Sequence, residues 1–144
     1  MRAAMRVVLD TNVVASGLLW RGPPRELLHA ARERKIALFS SPPLLAELLD
    51  ILARRKFEKQ IAMSGLTIDD IVSRYTLLAT TMHPASIPAT VKDDPDDDHV
   101  LACAIAARAD LIVSGDRHLL GLGGSYLGIR IVRPTEAVAM LNAR

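Results

Sequence analysis

Four carboxylates stand where a side chain can reach bound chemistry. Asp10 follows the apolar run Val7-Val8-Leu9, Asp116 follows Leu111-Ile112-Val113-Ser114-Gly115, Glu47 sits early in a leucine-rich segment, and Asp98 sits at the start of another helical segment. Two carboxylates about 4 Å apart repel by roughly 4 kcal/mol at an effective dielectric near 20, so a gathered set must protonate, separate or bind cations. Hard oxygen donors without a His or Cys set suit Mg²⁺ or Mn²⁺, which keep several waters and bind through a few carboxylates plus substrate phosphate. Such an ion activates water and stabilises charge developing on a phosphodiester. Taken singly, each acid also has an ordinary explanation. An Asp after a strand caps the next helix, an Asp at a helix start faces unpaired N–H groups, and most helix glutamates are simply solvated. Asp96 and Asp97 read as caps of this kind.

The elements that must position these acids alternate. Arg6 to Leu9 reads as a short buried strand ending in the polar turn Asp10-Thr11-Asn12, and Pro23-Pro24 open a helix over Arg25 to Arg34. Ile36 to Phe39 reads as a second strand. Leu44 to Phe57 is an amphipathic helix, with Glu47 on the flank of its leucine stripe and Asp50 opposite it. Thr67 caps a helix reaching Leu77 or Leu78, a weaker strand spans Ala79 to His83, and a proline-marked linker leads to a helix from Asp96 through Arg108. Leu111 to Ser114 is a strand, Arg117 to Leu120 a short helix, the glycines from Gly121 to Gly128 a loose turn, Ile129 to Val132 a last strand, and Pro134 onward a closing helix. Strands alternating with helices predict a three-layer α/β/α sandwich around a central parallel sheet, Rossmann-like in layout. In such sheets ligands bind beyond the carboxyl ends of the strands where strand order reverses, so Asp10 and Asp116 are expected on one rim.

The 144 residues, 50% of them apolar, suit one domain over 1–144. Aromatics make up only 3%, too few for rows of stacked rings. The lone Cys103 rules out an internal disulfide, and no Cys/His pairing has the spacing of a structural zinc site. No apolar run approaches the ~20 residues of a membrane span, so a cytoplasmic chain is expected. The net charge of +2 hides an uneven distribution: aspartates crowd residues 93–98, while Arg32, Arg34, Lys35 and Arg54, Arg55, Lys56, Lys59 form basic clusters. These clusters are compatible with a polyanionic partner and equally with solvated helix ends.

The ordered set Val7-Val8-Leu9-Asp10-Thr11-Asn12-Val13, Ser41-Pro42-Pro43-Leu44-Leu45-Ala46-Glu47-Leu48, Asp94-Pro95-Asp96-Asp97-Asp98-His99 and Val113-Ser114-Gly115-Asp116 resembles the PIN-domain family of metal-dependent ribonucleases, particularly the VapC-like toxins. The resemblance implies a metal-holding and catalytic set of Asp10, Glu47, Asp98 and Asp116, with Asn12 and Ser114 as polar supports. Asp98 is preferred because its 18-residue interval to Asp116 matches the family's, and Asp97 takes its place if the helix starts in another register. It also implies an Mg²⁺- or Mn²⁺-dependent endoribonuclease leaving a 5′-phosphate, a homodimer aligning two active sites, and a small cognate antitoxin that blocks the groove. The family includes RNA-processing members, so a nuclease without a toxin role is the nearest alternative.

Two rivals come from other classes. A phosphatase with an acidic pocket needs a second acid two residues after Asp10, where Asn12 stands; a receiver-like phosphoacceptor module needs an acceptor Asp after a middle strand, and neither Ile36–Ser41 nor Ala79–His83 supplies one. His29, His83, His99 and His118 read as surface or turn residues, although His99 beside Asp98 is placed to meet substrate. Trp20 reads as a core or dimer-contact residue ahead of a nucleic-acid stacking one. Cys103 reads as a small buried residue.

Overall fold

In the computed structural model, which describes residues 4–143, the central strands carry one apolar set on each side of the sheet. β1 (Met5–Leu9) sends Val7 and Leu9 into one core layer and Val8 into the other, and β4 (Leu111–Val113) divides Leu111 and Val113 from Ile112 in the same way. This is the period-2 alternation of a strand covered on both faces.

On the first face lie α1 (Thr11–Leu19), α2 (Pro23–Arg32), α3 (Pro42–Leu52), α5 (Ile68–Leu78) and α8 (Pro134–Asn142). On the second lie α6 (Asp97–Ala107) and α7 (Arg117–Leu120). α4 (Glu58–Ser64) extends the first layer and touches α1. The sheet order is β3-β2-β1-β4-β6-β5, with β2 at Ile36–Ser40, β3 at Thr80–Thr81, β5 at Ser125–Tyr126 and β6 at Ile129–Val132. All pairings are parallel except β5 with β6, so the sandwich is the expected three-layer one with an antiparallel strand at one margin. β1 lies between β2 and β4, and chain order reverses on crossing it. The reversal therefore falls between the ends of β1 and β4, where Asp10 and Asp116 are.

Several boundaries differ from the sequence reading for identifiable reasons. Residues 11–19 form α1 rather than a turn. Val13, Val14, Ala15 and Gly17 are all buried, so the segment lacks the polar stripe that announces a helix. A Cβ at Gly17 would lie 2.9 Å from the Pro24 carbonyl oxygen, which explains how α1 and α2 approach so closely. The predicted helix to Phe57 stops at Leu52. Arg54 is extended and Arg55–Phe57 forms a 3-10 turn that buries Phe57, after which α4 begins. The glycine-rich turn contains a tight β5–β6 hairpin, with Leu127 and Gly128 both at positive φ as a type I′ turn requires. The Thr67 cap is complete: the Asp70 amide donates to Thr67 Oγ1 and the Thr67 amide donates to Asp70 Oδ2, both at 3.1 Å.

Candidate metal centre

Ser114, the residue after β4, holds two of the acids in place. Its hydroxyl donates to Asp10 Oδ2 at 2.7 Å and accepts from the Asp116 amide at 2.9 Å. The ends of two parallel strands are thereby pinned through one fully buried oxygen. Asp10 is itself buried, and its amide donates to the Val113 carbonyl at 2.9 Å. Burial raises the Asp10 pKa, hydrogen bonds from Ser114 and the Thr11 amide oppose the rise, and the charges of Asp116 and Asp94 add to it. Asp116 caps α7, with one carboxylate oxygen accepting from the His118 amide at 2.7 Å and the Leu119 amide at 3.3 Å. The His118 ring nitrogen Nδ1 lies 3.5 Å from that same oxygen.

The aspartate that meets Asp116 is Asp97. One carboxylate oxygen apiece from Asp94, Asp97 and Asp116 and a ring nitrogen of His118 lie within 4.8 Å of one another. Asp97 is only 5% exposed, and its Oδ2 has no hydrogen-bond partner. Desolvation, the charge of Asp116 and a hydrogen bond with it, then Asp10 and Asp94, push the Asp97 carboxyl up to about 8. The expectation that Asp97 caps its helix is therefore corrected: its side chain makes no cap and faces other acids.

Asp98 points elsewhere. Its carboxylate accepts from the Thr90 amide at 3.1 Å and the Val91 amide at 2.9 Å, tying down the linker before α6. The helical phase decides the difference. Asp97 shares a face with Val100, Leu101 and Ala104, all buried toward the sheet, whereas Asp98 is turned toward the linker. Asp94 was read only as part of the acidic run, and His118 as a surface or turn residue; both stand in the cluster instead. Asp94 is brought in by the turn in which the Asp97 amide donates to its carbonyl at 3.0 Å, and His118 by the short helix capped by Asp116.

Glu47 approaches from the second turn of α3, half-buried, with Oε2 unpartnered. Burial, followed by the charges of Asp10, Asp96 and Asp94, pushes its pKa up to about 7 against the opposing charge of Arg54. Asn12 is exposed and lines, with Asp10, Ser16, Gly115 and Asp116, a cleft of about 350 Å³ above the acids. A larger cleft of about 810 Å³ between α1, α2 and α5 contains none of these carboxylates. The four predicted positions thus divide. Asp116 stands in the close cluster, Asp10 is tied to it through Ser114, Glu47 feels the charge of Asp10, and Asp98 is bonded to linker amides instead.

Unpartnered buried oxygens on Asp97 and Glu47 are costly unless something binds them. The donor set is one of hard oxygens, with a single imidazole at its border, and it fits a hard divalent cation of the Mg²⁺ or Mn²⁺ kind. Because Ser114 orients two carboxylates, Ser114→Ala is expected to weaken Mn²⁺ binding about 10- to 100-fold, as read by calorimetric titration. An unchanged affinity would reduce Ser114 to a turn residue.

No helix among the described residues is long and apolar enough to cross a membrane. A search of the curated proteins found no match. The family model of the PIN domain matches residues 6–118, a span that begins before Asp10, ends after Asp116 and covers well over half of the 144 residues. The chain accordingly belongs to the PIN-domain family, whose members are typically metal-dependent nucleases.

Proposed function

We propose that this protein is an Mg²⁺- or Mn²⁺-dependent endoribonuclease that hydrolyses RNA phosphodiesters and serves as the toxin of a type II toxin–antitoxin pair. The carrying observation is the buried Asp97 carboxylate, with its Oδ2 unpartnered, against Asp116 at the sheet's reversal point and beside Asp10. In this reading Asp10, Asp97 and Asp116 hold the cation. Asp94 and His118 stand at its border, and Asn12 and Ser114 are supports. When bound, the ion supplies Lewis-acid stabilisation of the phosphoryl oxygens and lowers the pKa of water. Glu47 is poised to accept the proton of the attacking water at its free Oε2, since a general base works best with a pKa near the operating pH. Asn12, exposed in the lining of the cleft, is placed to position the carboxylates or a water there. Hydrolysis then leaves a 5′-phosphate.

The toxin role, a cytoplasmic location, a homodimer and a cognate antitoxin that covers the cleft rest on the ordered motif series from Asp10 to Asp116. Cleavage of structured and unstructured RNAs is expected with Mg²⁺ or Mn²⁺, to stop in EDTA, and to be lost in Asp10→Asn. Undiminished cleavage in EDTA removes the mechanism. Covalent labelling by an acyl phosphate, or turnover of phosphomonoesters, would instead favour the phosphoacceptor or phosphatase chemistry. Neutralisation by the product of an adjacent small gene would separate a toxin from an RNA-processing nuclease.

A further inference from the structure

The single tryptophan is one of the large apolar side chains left exposed. Trp20, at the C-terminal end of α1, is 38% exposed although its ring packs on Phe57, with centroids 5.5 Å apart and planes at 49°. The chain segments that meet at this ring pair are basic. Arg21 follows it in the chain; Arg54 and Arg55 lead into the 3-10 turn beneath it; the Lys56 ammonium lies 5.0 Å over the Phe57 ring. Lys59 lies one turn further, and Gln60 fastens that turn to α1 by donating to the Leu19 carbonyl at 3.4 Å. All five cations are exposed, with Glu58 the one acid among them, and among the described residues none of the five is in a salt bridge.

A ridge of α1 connects this patch to the acids. Asn12 and Ser16 line the cleft over Asp10 and Asp116, and Trp20, the extended residue that ends the helix, donates its amide to the Ser16 carbonyl at 2.8 Å. At about 1.5 Å per residue, Trp20 lies about 15 Å along α1 from Asp10. That distance is on the order of four nucleotides at a stacked spacing of ~3.4 Å.

We infer that Trp20 is a stacking anchor for an unpaired base of a single-stranded nucleic acid, whose backbone lies on the surrounding Arg and Lys side chains and whose scissile phosphate reaches the acidic cleft. This rests on the nuclease reading for the fate of the phosphate, but not for the binding. A half-exposed indole on a rigid aromatic support offers a π-face that every base can use, and flanking cations hold phosphates without reading sequence. A paired strand keeps its bases stacked inside the duplex, so the anchor selects single-stranded substrate. A second copy of the chain is a poorer occupant, because a twofold contact centred here would oppose the same basic cluster to itself.

Trp20 is the sole tryptophan, so its emission reports directly on the site. Wild-type protein in EDTA is titrated with a single-stranded 12-nucleotide RNA and, separately, with inorganic polyphosphate. The RNA is expected to quench the emission in a salt-sensitive manner, and polyphosphate to compete for the cations without quenching. By anisotropy of a labelled RNA, Trp20→Ala is expected to weaken binding about tenfold, and Trp20→Phe much less. Trp20→Leu, which keeps apolar cover over Phe57, controls for loss of folding and should resemble Trp20→Ala. With Mn²⁺, the variants should raise KM and leave kcat near wild type. Equal RNA affinity in folded Trp20→Leu, an emission indifferent to RNA, or an emission that changes with protein concentration alone overturns the inference, the last by marking a contact between copies. Quenching and tight RNA binding without cleavage in Mn²⁺ would sink the nuclease reading while leaving the anchor intact. Metal-dependent cleavage with an unchanged KM in the variants would do the reverse.

Discussion

Asp97→Asn is expected to lower metal-dependent RNA cleavage about a thousandfold, whereas Asp98→Asn stays within about tenfold of wild type. The contrast follows from where the two side chains go. Asp97 is buried beside Asp116 with its Oδ2 unpartnered, and Asp98 spends both of its oxygens on the Thr90 and Val91 amides. Losing a ligand removes several kcal/mol of charge stabilisation in the transition state, and each 1.36 kcal/mol is a factor of ten in rate. Losing the charge on Asp98 weakens charge-assisted bonds to two amides, on the order of 1 kcal/mol at a half-buried position. For a chain of this size that lowers Tm by roughly 3 °C. The two variants therefore separate by measurement: metal-free at pH 8, one fails in the nuclease assay and melts no earlier than wild type, the other melts earlier and keeps cutting. The opposite pattern would return the third ligand to Asp98.

The metal-free protein is expected to melt at a lower temperature at pH 8 than at pH 5, and Mn²⁺ should narrow that difference. Asp97 rises from 3.8 to about 8 in the folded chain and Glu47 from 4.5 to about 7. Between those limits the folded protein keeps protons that the unfolded chain has already released. Stability is therefore full below the unfolded values, declines as pH rises toward 7 to 8, and levels off above. Asp70 has the opposite sign. Its hydrogen bonds to Thr67 lower its pKa, so its contribution is lost only in more acidic solution and does not mask the decline. A divalent cation binds the ionised carboxylates and competes with their protons. At 100 times its dissociation constant it stabilises by about 2.7 kcal/mol, equivalent to several degrees, at pH 8 and by much less at pH 5. Differential scanning fluorimetry at both pH values, with EDTA and with Mn²⁺, reads all four conditions. A metal-free Tm that climbs from pH 5 to pH 8 would show that these acids do not share one low-dielectric pocket.

The layered sheet was readable because strands such as Val7-Val8-Leu9 and Leu111-Ile112-Val113 are apolar on both sides, a pattern that demands helices above and below. Asp10 and Asp116 were readable for the same reason: each follows such a strand, and parallel topology brings the ends together. The choice between Asp97 and Asp98 was harder. Residues 100–104 of α6 are all buried, so the helix has no polar stripe from which to read its phase, and a one-residue rotation exchanges the two carboxylates. α1 was hidden by a similar uniformity. The break at Arg54 depends on Phe57 finding a tertiary pocket, which local periodicity does not record. His118 joins the acids from the short helix expected over Arg117 to Leu120, whose single turn is too short to show which way its side chains face.

The outermost strands, β3 and β5, are two residues each. So little free backbone offers almost no template onto which a neighbouring molecule could zip another ribbon, and one flank is further blunted by its hairpin bend. Copies of this protein that meet in solution find little sheet edge to pair with, which leaves amyloid-like accretion without a starting ledge.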